Sequence, residues 1–73
     1  MLSAYPNPAT DQVTINIPAG WNKYSVEIFG ADGKVILSTQ DQAVLSLTPV
    51  AAGNYFVRVI NGQKTAYAHI IKQ

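Results

Sequence analysis

Turn-forming residues interrupt this chain about every eight to twelve positions, and the stretches between them alternate apolar and polar side chains. That combination constrains the fold more than any other feature, because a period of two cannot build a helix. "QVTINI" (12–17) sets Val13, Ile15 and Ile17 against Thr14 and Asn16, and Pro18 ends it before the loop "PAGWN" (18–22). "YSVEIF" (24–29) puts Tyr24, Val26 and Ile28 on one face and Ser25 and Glu27 on the other. "GADG" (30–33) reads as a short turn in which Asp32 and Gly33 suit positive φ.

"KVILSTQ" (34–40) predicts a third strand with ambiguous faces, since Val35 and Leu37 oppose Ile36. "AVLSLT" (43–48) turns Leu45 and Leu47 inward around Ser46, and "PVAAG" (49–53) forms another loop. "NYFVRVI" (54–60) sets Tyr55, Val57 and Val59 against Phe56, Arg58 and Ile60, with Arg58 marking the wetter face. Asn61-Gly62 then predicts a two-residue type I′ hairpin turn, and "QKTAYAHIIK" (63–72) returns antiparallel. Prolines at 6, 8, 18 and 49 and the missing 3.6-residue period argue against any helix. The expected fold is an all-β antiparallel sandwich of six strands, or seven if "LSAY" (2–5) pairs, formed as one domain over residues 1–73.

Composition then removes most function classes. A chain of 73 residues buries only about 60% of the surface its unfolded form exposes. Without cysteine it has no disulfides or thiolate ligands, so its 48% hydrophobic residues must supply the core. With 12% charged residues and a net charge of +1, Lys23, Lys34, Arg58, Lys64 and Lys72 stand singly and make no nucleic-acid-binding face. No apolar run approaches the roughly 18 residues that span a bilayer, so membrane insertion is not expected. "MLSAYPNP" has neither the charged nor the apolar region of a signal peptide.

Catalysis fares no better. His69 is the sole imidazole, and its neighbours Ala68 and Ile70 mark it as an ordinary strand residue. Asp11, Asp32 and Asp41 fall at turns, where aspartate caps backbone N–H groups, and no calcium-loop spacing joins them. Neither an enzyme nor a cofactor or metal site is expected. Trp21 is read as folding over one end of the core, Tyr55 as filling core with its hydroxyl at the margin, and Tyr67 as covering an outer face. "YPNPATD" (5–11) reads as a stiff arm. Pro6 and Pro8 push Tyr5 and Asn7 towards extended conformations, and Asn7 or Asp11 can bond nearby backbone.

The order of these pieces resembles the C-terminal sorting domain of the Bacteroidetes type IX secretion system. The resemblance runs over residues 4–73 and rests on a Y-P-N-P-A lead-in at Tyr5, Pro6, Asn7, Pro8 and Ala9. It continues in a hairpin glycine and basic residue at Gly33 and Lys34, a G-x-Y motif at Gly53 and Tyr55, and the terminal Ile70, Ile71, Lys72 and Gln73. Gly30 departs from the family's frequent aspartate, and Met1 fits an engineered or processed start, since such domains end larger proteins.

The resemblance implies an Ig-like sandwich that serves as a secretion signal. Its implied partners are an N-terminal cargo domain, the outer-membrane translocon and a sortase-like cysteine peptidase that removes the domain. The implied route runs through the periplasm to the cell surface or beyond. The terminal strand "HIIKQ" (69–73) is expected to contribute directly to recognition, because the main chain of an edge strand can pair with another sheet. An Ig- or fibronectin-like accessory module that binds carbohydrate or protein is the alternative, and self-association through exposed strand edges is a third reading.

Overall fold

The computed structural model describes residues 2–73, so the expected origin of Met1 falls outside the described residues. Seven strands follow one another: β1 (Ser3–Tyr5), β2 (Gln12–Asn16), β3 (Ser25–Gly30), β4 (Val35–Gln40), β5 (Val44–Ser46), β6 (Gly53–Asn61) and β7 (Lys64–Lys72). They form a three-stranded sheet ordered β1-β2-β5 and a four-stranded sheet ordered β4-β3-β6-β7, with every strand pair antiparallel. Lettered in chain order, the sheets read A-B-E and C′-C-F-G, the immunoglobulin-like arrangement in which the fourth strand joins the C-F-G sheet. The expected all-β sandwich is the observed fold, and "LSAY" supplies the seventh strand.

Period-2 alternation decides what lies between the sheets. Val13 and Ile15 of β2 and Leu45 of β5, with Leu47 just beyond it, face Val26 and Ile28 of β3, Val57 and Val59 of β6, and Ala68 and Ile70 of β7. Each fully buried aliphatic side chain contributes about 1.5–3 kcal/mol. No polar or charged residue is fully buried among the described residues, but the Thr39 Oγ1 on β4 is buried without a hydrogen-bond partner and carries a desolvation cost. Trp21, Tyr24 and Tyr55 pack against its margin as expected, and the Tyr55 hydroxyl donates to the Ala51 carbonyl at 2.7 Å.

Three turn and register details differ from the local reading. The type I′ turn expected on Asn61-Gly62 is displaced by one residue: Asn61 pairs with Lys64, leaving Gly62 and Gln63 as the loop. Only Gly62 has positive φ, at 58°, which is the type II′ signature with glycine at the first central position. In "GADG", Gly33 takes φ 85° while Asp32 does not; Asp32 instead accepts the Lys34 backbone N–H on Oδ1 at 3.0 Å. The non-glycine residue at positive φ is Asp41 (55°), whose Oδ1 accepts the Tyr24 N–H at 2.9 Å.

The ambiguous faces of β4 are settled by a β-bulge. Ile28 pairs with Leu37, but Phe29 pairs with Val35, so Ile36 is an extra residue. The bulge leaves Leu37 packed on the core and moves Val35 to the outer face with Phe29. The N-terminal arm also departs from a straight extended segment. It bends through residues 6–8, where the Tyr5–Pro6 and Asn7–Pro8 peptide bonds are cis.

Candidate functional site

In an antiparallel pair, alternate residues of a strand aim their backbone groups at the neighbour and the rest aim them away. On β7 the residues aimed away from β6 are Tyr67, His69 and Ile71, with Gln73 continuing the series. The arm runs alongside them. The Leu2 N–H donates to the Tyr67 carbonyl (3.1 Å), the Ala9 N–H donates to the Ile71 carbonyl (2.7 Å), and the Gln73 N–H donates to the Ala9 carbonyl (2.8 Å). Ala9 thereby forms a parallel bridge with Lys72 and is fully buried.

Between these contacts the arm has Pro6 and Pro8, which have no N–H to donate. Asn7 fills the gap with its side chain. Its Nδ2 donates to the His69 carbonyl at 3.0 Å and its Oδ1 accepts the Ile71 N–H at 3.0 Å. The carboxamide thus does for β7 what a peptide group of a neighbouring strand would do. This corrects the expectation of a local bond: the partners lie 62 and 64 residues away. Asp11 contributes its backbone carbonyl, which accepts the Leu47 N–H at 2.8 Å.

Asn7→Ala is expected to lose about 1–2 kcal/mol of stability, since both bonds are solvent-exposed and water replaces part of their worth. Hydrogen exchange would locate the effect, with the Ile71 amide losing protection. Asn7→Asp, which keeps an acceptor for Ile71 but no donor for His69, should fall between. Unchanged Ile71 protection in Asn7→Ala would show that the side chain does not hold the strand.

The remaining motif residues meet at the same end of the four-stranded sheet. Gly53, Asn54 and Tyr55 pair with Lys72, Ile71 and Ile70, while Gly30 pairs with Tyr55 on its other side. The Gly30 N–H donates to the Lys34 carbonyl at 3.1 Å, which places the Gly33–Lys34 turn in the same row. Strand spacing makes that row about 14 Å across from β4 to β7. Residues 33–34, 53–55 and 70–73 are therefore neighbours in space, with the arm against their β7 side.

Their side chains divide by role. Ile70 is fully buried and belongs to the core, whereas Ile71 faces out at 38% exposure. Gly33 and Gly53 (φ 153°) act through backbone conformations that side-chain-bearing residues rarely adopt. Lys72 is half-buried and its Nζ donates to the Gln73 carbonyl at 3.1 Å. Tyr5, Pro6, Asn7, Pro8, Lys34 and Gln73 are exposed; Tyr5 pairs with Thr14 in the other sheet and stands apart from the row.

An aromatic row on the outer face of this sheet was not foreseen from the sequence. Register brings Phe29, Phe56 and His69 side by side on β3, β6 and β7. The phenylalanine rings are stacked with centroids 5.7 Å apart, and His69 lies 5.3 Å from Phe56. His69 Nε2 is 3.2 Å from Asn54 Oδ1. Arg58 sits 5.1 Å over the Phe29 ring, and its Nε donates to Glu27 Oε1 at 2.7 Å. That hydrogen bond to Glu27 pushes the Arg58 guanidinium further above its already high pKa. Alternation had placed Phe56 with Arg58, but the alignment of Phe29 and His69 beside it depends on register between distant strands. An open groove of about 540 Å³ adjoins the row, lined by Leu2, Ser3, Ala4 and Asn7 on one side and Phe56, Tyr67, Ala68 and His69 on the other.

Among the described residues there is no group of three or more potential metal ligands and no helix long and apolar enough to cross a membrane. A family model described as the secretion system C-terminal sorting domain matches residues 3–73, nearly the entire sequence. The chain belongs to that family. A comparison with curated proteins finds no match.

As a type IX sorting domain, the chain is the C-terminal signal that commits a cargo protein to export to the cell surface or the extracellular space. The family is not known for catalysis, and its partners in the broad sense are a cargo and the secretion machinery. The sorting domain presents its motif residues mostly as two things: an arm clamped on the last strand, and the end of the sheet that strand belongs to.

Proposed function

We propose that the outer-membrane translocon reads this sorting domain at the end of the four-stranded sheet where residues 33–34, 53–55 and 70–73 meet the arm. In this reading residues 1–73 act as one C-terminal unit that follows a cargo domain and crosses the periplasm with it. A sortase-like cysteine peptidase then removes the unit at the cell surface, so the peptide-bond chemistry belongs to the peptidase. The observation that carries the reading is the convergence of motifs far apart in sequence on one patch of surface. The mode of recognition shifts accordingly. The backbone groups of His69, Ile71 and Gln73 that face away from β6 are largely occupied by the arm, so Ile71, Gln73, Lys34 and the proline-flanked arm offer side chains instead of a free strand edge.

The test fuses residues 1–73 to an inert, periplasm-targeted reporter in a Bacteroidetes host with and without the translocon. Translocon-dependent appearance of the reporter outside the cell is the expected result. Retention in both backgrounds, with the domain folded, would overturn the proposal.

A further inference from the structure

Asn61-Gly62 carries a reactivity that its place in the hairpin does not use. The chain's five asparagines are followed by Pro8, Ile17, Lys23, Tyr55 and Gly62. The backbone nitrogen of the next residue can attack an asparagine carboxamide at Cγ, closing a five-membered succinimide ring. Proline has no N–H to lose, and a side chain on the attacking residue crowds the approach. Glycine removes that crowding. Gly62 is exposed, with open space where a Cβ would stand.

The shifted register bears directly on that attack. Asn61 is the last residue of β6 and pairs with Lys64, so it belongs to the ladder and not to the centre of the turn. Its backbone is held extended, whereas ring closure needs ψ of Asn61 turned far from the strand value. The carboxamide is tethered as well. Its Nδ2 donates to the Lys23 carbonyl, 38 residues away in sequence, at 2.6 Å. Both restraints oppose the rotation that brings Cγ to the Gly62 nitrogen, and both are lost when the chain unfolds.

We propose that Asn61 is a deamidation site that the fold holds shut and that unfolding opens. In the open chain the Gly62 nitrogen gives its proton to solvent base and bonds Cγ. The Cγ–Nδ2 bond breaks, and the leaving nitrogen takes a proton from water and departs as ammonia. Water then opens the succinimide at either carbonyl, giving aspartate or isoaspartate at position 61. Neither product restores the native contact. A carboxylate offers no N–H to the Lys23 carbonyl, and isoaspartate adds a methylene to the main chain within the β6–β7 ladder. The reaction is a one-way mark on chains that have spent time unfolded.

The test incubates the full chain in mildly alkaline buffer with and without guanidinium chloride, and peptide mapping by mass spectrometry locates the products. In denaturant, conversion is expected at Asn61 ahead of Asn16, Asn22 and Asn54. In the folded chain the Asn61 rate should be lower by about tenfold or more, because the reaction waits for the hairpin to open. Isoaspartate formed at Asp32-Gly33 is told apart by its peptide. Lys64→Pro removes the N–H that closes the hairpin on the Asn61 carbonyl and should bring the folded rate towards the denatured one. Asn61→Asp makes one product directly and should lower the denaturant midpoint; this variant and the parent's two rates decide the matter if Lys64→Pro does not fold. Equal parent rates in the two states, or no preference for Asn61 in denaturant, would overturn the proposal. So would a folded Lys64→Pro variant that reacts no faster than the parent, or an Asn61→Asp variant as stable as the parent.

Discussion

Ile70→Ala is expected to destabilise the domain by about 2–5 kcal/mol, while Ile71→Ser, one position further on, is expected to change stability by less than about 1 kcal/mol. The two residues share a strand and a motif but face opposite ways. Ile70 is fully buried between the sheets and pairs with Tyr55, whereas Ile71 lies on the outer face opposite Asn54. A chain of 73 residues has a total stability of only about 4–11 kcal/mol, so the loss at Ile70 is a large share of the whole. Urea unfolding of both variants, followed by export of the same variants as reporter fusions, separates folding from reading. Ile70→Ala should lose export because it unfolds. Ile71→Ser should remain folded, and a drop in its export would mark that side chain as read by the machinery. Equal destabilisation of the two variants would contradict the assignment of faces along β7.

Deleting residues 1–9 is expected to have the larger effect. It removes β1, buried Leu2 and Ala9, and five hydrogen bonds to the outer edge of β7. At about 1 kcal/mol per hydrogen bond and about 1.5–3 kcal/mol for the leucine, the loss rivals the stability of the whole domain. Whatever remains folded would expose a nine-residue edge strand with Tyr67 and Ile71 on its solvent face. Such an edge recruits other strands, so light scattering should rise as the β signal in circular dichroism falls. A deletion variant that stays folded and monomeric would show that the arm decorates β7 without holding it.

Both outcomes bear on truncation from the other end. Removing residues 69–73 takes away Ile70 together with the backbone partners of Asn7 and Ala9. Lost export in that truncation would therefore report unfolding as much as lost recognition. Point changes at exposed positions are the cleaner probe of the sorting surface.

The strands were legible in the sequence because side-chain alternation is a local property: "QVTINI", "YSVEIF" and "NYFVRVI" each state their inward face within six or seven residues. The motif order likewise pointed to the sorting-domain family, and the match over residues 3–73 agrees with it. Local reasoning failed wherever the answer lay across the fold. The hairpin at Gly62 shifted by one residue because ladder register, summed over nine pairs between β6 and β7, outweighs the preference of one dipeptide. The faces of β4 needed the bulge against Phe29, and the aromatic row needed three strands in register.

"YPNPA" shows the division most clearly. The sequence by itself determined that Pro6 and Pro8 cannot donate hydrogen bonds and that a polar amide sits between them. Only the tertiary structure decided what that amide is for. Closing the two sheets over a common core brings the arm beside a strand more than sixty residues away, where Asn7 meets the two backbone groups that its prolines leave unpaired. Alternation is encoded residue by residue, but an edge needs a partner only once the sheet exists, and that is a property of the folded chain.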